Sequence, residues 1–109
     1  MDMKNNSACM LGSVVKINVH IERMCCLTMD DYDFECDFYV YPNRKITVPK
    51  RDLLRKGEDD YIAVVDTSAT GEGELMMKVT AMIPDDDCPG GMRKAIAGCP
   101  TGIKIRKGL

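Results

Sequence analysis

The chain has 109 residues, of which 45% are hydrophobic and 29% charged, with a formal net charge of −2. That is the length of one domain with a sandwich-sized core, and the composition excludes the disordered, collagen-like and membrane-spanning classes. The near-neutral balance argues against a nucleic acid as the main partner, since such affinity comes largely from basic residues that neutralise phosphates.

Residues 1–11 lack the apolar run of a secretory signal, and no later run approaches the roughly 18 residues needed to cross a bilayer, so no membrane association is expected. Without an export signal the six cysteines, Cys9, Cys25, Cys26, Cys36, Cys88 and Cys99, read as free thiols kept reduced in a cytosol.

Residues 1–12 have no usable periodicity and read as an N-terminal arm, with residues 13–109 as a single domain. A functional arm would anchor on a partner through Met1, Met3, Cys9, Met10 and Leu11. Val14 to Glu22 alternates strictly, Val15, Ile17, Val19 and Ile21 on one face, which is a half-buried strand. Arg23 to Asp33 is an acidic loop with Leu27 or Met29 turned inward. Phe34 to Tyr41 is a second strand with Phe34, Cys36, Phe38 and Val40 on the core side. The Pro42–Asn43–Arg44–Lys45 turn then folds Ile46, Thr47 and Val48 back as a hairpin partner.

Pro49 to Gly57 is the one helical candidate, with Leu53 and Leu54 facing in. Tyr61 to Asp66 is a β-branched strand, and Thr67 to Gly73 a loop. Glu74 to Pro84 carries the longest alternation of the chain, with Leu75, Met77, Val79, Ala81 and Ile83 inward. Asp85 to Gly91 is a turn cluster, and Arg93 to Ala97 and Thr101 to Ile105 are short closing strands broken by Gly98 and Pro100. The sum is an all-β fold, an antiparallel two-sheet sandwich of six or seven short strands with one short helix; an open β-barrel is the alternative.

Candidate chemistry is sparse. His20 is the single histidine and falls on an outward face, and no serine sits in a nucleophile elbow. Cys25 and Cys26 with His20 and Cys36 lack the paired Cys-x-x-Cys spacing of a zinc site. The acids Asp30, Asp31, Asp33, Glu35 and Asp37 lack the glycine and closing glutamate of a calcium loop, and Asp85 to Asp87 read as a solvated turn. No catalytic residue, metal or cofactor is expected. Tyr39, Tyr41, Met76 and Met82, however, fall on the solvent side of their strands, and Tyr and Met are enriched in interface cores. That outer face is therefore the candidate contact surface.

Asp31–Tyr32–Asp33–Phe34–Glu35–Cys36–Asp37–Phe38–Tyr39, Gly73–Glu74–Leu75, Ile83–Pro84–Asp85 with Pro89–Gly90 and Arg93, and Pro100–Thr101–Gly102–Ile103 carry a resemblance in their order and spacing. It covers Val14 to Ile105. The chain resembles a small β domain of virion structural proteins from tailed phages and prophages of anaerobic gut bacteria, including crAss-like phages. The resemblance implies a non-enzymatic head-fibre, decoration or baseplate/tail adaptor subunit, made in the host cytoplasm and carried on the virion. Its implied partners are other virion proteins and further copies of itself, most plausibly in a trimer. The alternative function is a carbohydrate- or host-surface-binding module.

Overall fold

The computed structural model describes residues 7–23, 26–43 and 45–107. The fold is all-β, with two sheets, one of them curled as a half-barrel. The strands are β1 (Ser7–Met10), β2 (Val14–His20), β3 (Asp33–Tyr39), β4 (Ile46–Pro49), β5 (Leu54–Gly57), β6 (Asp60–Asp66), β7 (Gly73–Pro84) and β8 (Met92–Arg106). The larger sheet runs β1-β8-β7-β3-β4 and the smaller β2-β6-β5. All pairings are antiparallel except β1 with β8, which is parallel.

β7 holds the larger sheet together because it is paired along both edges, with β3 from Met76 to Met82 and with β8 from Gly73 to Pro84. Its period of two works as expected: Leu75, Ala81 and Ile83 are buried, and Met77 and Val79 pack half-buried against them. Opposite stand Ile17 and Val19 of β2 and Tyr61, Ala63 and Val65 of β6. β3 adds Phe34, Cys36 and Phe38, with Val40 just beyond its end. Phe34 packs edge-on to Tyr61, ring centroids 5.3 Å apart, which locks the two sheets face to face. The Met29 loop closes one end of this core: Met29 is fully buried, and Lys50 Nζ donates to the Met29 and Tyr32 carbonyls at 2.8 and 2.7 Å.

At the other end the chain crosses from the larger sheet to the smaller through Gly12, whose φ of +98° suits a residue without a Cβ. Thr67 pins that corner: its hydroxyl accepts from Gly12 N at 2.9 Å and donates to the Ser13 carbonyl at 2.8 Å.

Several sequence expectations are corrected. Residues 7–10 of the expected arm form β1, whose backbone lies beside Ile103 to Arg106; residues 1–6 are outside the described residues. The expected helix over 49–57 is the end of β4, one 3-10 turn at Lys50–Asp52, and β5. A helix that short is marginal alone, and pairing of Leu54 and Arg55 with Ile62 and Tyr61 satisfies the backbone better. Extended geometry then sends the adjacent leucines opposite ways: Leu53 is 7% exposed and Leu54 49%. The two short closing strands are one strand, β8. Gly98 keeps its place in the ladder opposite Lys78, and the register shift lies between Glu74 and Met76, where β8 bulges at Gly102, φ +84°. Eight strands are thus described rather than six or seven.

Phe38 is fully buried between the sheets. Phe38→Ala is expected to cost about 3–5 kcal/mol, read as a lower urea midpoint with an unchanged slope.

Candidate interaction surface

The outward side chains of β3 and β7 meet because the ladder sets Tyr39 directly opposite Met76 and Asp37 opposite Lys78. Tyr41, 83% exposed just past β3, joins Tyr39 and Met76 around a shallow cavity of about 380 Å³, whose other lining residues are Val40, Glu72, Gly73 and Glu74. Gly73 is required there: its φ is +129°, and a Cβ would stand 2.6 Å from Val40 Cγ1. A second hollow of about 240 Å³ adjoins Tyr39 on its other side, between Asn43, Lys45 and Lys78.

The polar floor of this face contains a side chain that alternation places outside and the structure buries. Asp37 is 2% exposed. Thr47 Oγ1 donates to its Oδ1 at 2.6 Å, while Lys45 Nζ and Lys78 Nζ stand 3.4 and 3.8 Å from Oδ2. Two cations and a hydroxyl, from β4, β7 and the turn before β4, thus compensate one desolvated carboxylate, as burial of a charge demands.

The expected contact residues do not form one surface. Tyr39, Tyr41 and Met76 are together. Met82 is half-buried opposite Asp33, six residues further along β7 and so roughly 20 Å away. Cys9, half-buried, and Met10 and Leu11, exposed, belong to β1 and its exit, beyond β8 from β7. Met1 and Met3 lie outside the described residues.

Asp30, Asp31 and Asp85 are also engaged structurally. Asp31 closes a capping box with Thr28, accepting from Thr28 N at 2.7 Å. Asp30 accepts from Arg55 Nε and Nη2 at 2.9 and 2.6 Å and from the Tyr61 hydroxyl. The Arg55 and Tyr61 hydrogen bonds bring the Asp30 pKa down from 3.8 to about 2, while burial, followed by the Asp30 hydrogen bond, raises that of Tyr61 to about 12. Asp85 Oδ1 accepts from Asp87 N, and its Oδ2 from Arg93 Nε, which shapes the β7–β8 hairpin tip. Among the described residues no three of His, Cys, Asp and Glu stand as a metal-binding group. Cys36 is fully buried and its thiol is pushed up to about 12, by burial first and by Asp37 and Glu35 next, which leaves it unreactive.

A second surface has no signal in the sequence. Between the outer edge of β2 and β8 run two adjoining hollows of about 440 and 300 Å³, both bordered by His20, Met77 and Cys99. The second is mostly apolar, with Ile21, Val79, Ala95 and Ala97 in its walls. His20 is tied at this rim, Nδ1 donating to the Asp59 carbonyl at 2.8 Å. Burial pulls its pKa down, and the Asp59 carbonyl with the Asp60 and Glu22 carboxylates outweighs that, leaving the net shift upward. Only the pairing of β8 with β7 brings residues 95–99 opposite 77–81, level with His20, so alternation along one strand could not have found this seam.

Two predictions come from this geometry. A depressed carboxylate pKa contributes stability that is present above the unfolded value near 3.8 and lost as pH falls through about 2. Asp30→Asn is therefore expected to be less stable than the parent at pH 7, and urea midpoints of the two should converge as pH drops from 4 to 2. Gly73→Ala should destabilise by more than about 1 kcal/mol, from strained φ and the Val40 clash, with near-UV circular dichroism changing at the adjoining tyrosines.

The sequence matches no family model and no curated protein, and no solved structure matches the chain.

Proposed function

We propose that this chain is a non-enzymatic assembly subunit, a small structural protein of a tailed-phage virion that works as a head-fibre, decoration or baseplate/tail adaptor component. The observation that carries the reading is the Tyr39–Tyr41–Met76 cluster, an aromatic and thioether patch on the outer face of the larger sheet, rimmed by Glu72, Glu74 and Lys78. Such a patch has the makings of an interface centre, large side chains held on rigid strands with charges at the rim. The virion assignment is supported by the resemblance of the Asp31–Tyr39 stretch and the later motifs. In this reading the patch docks a larger virion protein, and copies of the chain associate in a symmetric oligomer.

A second reading, a carbohydrate- or host-surface-binding module, is favoured by one feature: Tyr41 stands exposed beside two carboxylates, a ring and acceptors that could hold a sugar.

The test mixes the purified chain with head and tail proteins of the phage particle and weighs the products by mass photometry. The expected result is a complex that Tyr41→Ala weakens by about tenfold, the effect of losing one interface anchor worth about 1.4 kcal/mol. A chain that binds none of these proteins, but gives glycan-array hits that Tyr41→Ala removes, overturns the first reading in favour of the second.

A further inference from the structure

β8 pairs with β7 along its length, but on its other side β1 reaches only from Ile103 to Arg106. Among the described residues, Met92 to Pro100 therefore presents an unpaired edge of a strand already ordered by its partner. Such an edge is a template for another strand. It is flanked by Ile96, 59% exposed, and Met92, 44% exposed, on one face, and by the apolar seam of Ala95, Ala97 and Cys99 on the other.

We propose that the occupant of this edge is a second copy of the chain, its β8 pairing antiparallel to the first across a two-fold axis centred on Ile96. The inference rests on the assembly reading above and supplies its contact between copies.

Symmetry, charge and the preformed edge together select a second copy and this register. A two-fold axis through the sheet keeps each face on its own side, so the centre must fall on a residue, and the centre at Ile96 uses the whole edge, Met92 opposite the partner's Pro100. Centres at Arg93 or Lys94 would set like charges directly opposite each other, which destabilises. Centring on Ile96 instead sets Lys94 against the partner's Gly98 and Arg93 against the partner's Cys99, while Ile96 meets its own counterpart. The same operation points the acidic hairpin tip of each copy, with exposed Asp86 and Asp87, toward the basic end of the other β8, with exposed Lys104 and Arg106. Both edges are preformed, so pairing does not incur the backbone ordering cost of a disordered peptide. The Gly102 bulge and the start of β1 beside Ile103 end the ladder at its far side. This pairing builds dimers and even-numbered assemblies rather than the trimer that the resemblance implies.

The test uses the full chain and Ile96→Cys, a change at an exposed site. Directly opposed residues have Cα atoms about 4.5–5.5 Å apart, within disulfide reach. Mild oxidation is expected to give a covalent dimer whose digest contains the peptide linked 96 to 96. In the parent chain, the alternate amides of residues 93–99 that point away from β7 should exchange about tenfold more slowly in concentrated than in dilute solution. An oligomer that forms without the 96–96 link overturns this edge and leaves the assembly reading standing. Slow exchange of those edge-facing amides in a species of monomeric mass also overturns it, since the edge is then covered within a single chain. A chain monomeric at every concentration that still binds virion proteins rejects the pairing alone; one that binds none of them rejects both.

Discussion

The backbone of β7 is hydrogen-bonded to a neighbour on each edge, and this double ladder governs the molecule. With β3 and β8 held in register by it, the inward residues Leu75, Ala81 and Ile83 are carried to one face and aimed at Ile17, Val19, Ala63 and Val65 of the smaller sheet. The apolar surface removed from water there is the main favourable term. It offsets the entropy of ordering a chain whose contacts are mostly distant in sequence. Phe34, Phe38 and Tyr61 fill the space between the layers, and Met29 and Thr67 close its ends.

The same ladder produces both surfaces of interest. On the outside it sets Tyr39 against Met76 and Asp37 against Lys78, so that an aromatic patch sits beside a buried, compensated carboxylate. On the inside it extends the β7–β8 hairpin past the smaller sheet, leaving the Ala95–Cys99 side as one wall of an open seam with His20 at its rim. Function is read from these sites because a fold class alone does not carry one. What the two share is a rigid strand presenting side chains or backbone outward, an arrangement suited to holding a partner in place.

The acids of the Asp30–Asp37 stretch illustrate how similar residues part company in a folded chain. Asp30 holds Arg55 and Tyr61 across the gap from the loop to the smaller sheet, Asp31 caps a turn, and Asp37 lies under the outer face. All three are structural, since each has its lone pairs directed to donors of the same chain. A count of acids per loop gives no access to this.

Alternation was enough to read the all-β class, the faces of β2, β3 and β7, and the hairpin of β3 with β4, because a strand's side-chain period of two is local and survives any choice of neighbour. The outward placement of Tyr39, Tyr41 and Met76 was legible for the same reason. Strand pairing is non-local, and what rests on it was not legible: β5 in place of a helix, β1 beside β8, the continuity of β8 through Gly98, and the burial of Asp37. Each was settled by which backbone edge lay within hydrogen-bonding reach once the core had closed. That competition between edges and solvent takes place in space, and a linear order of residues does not record it.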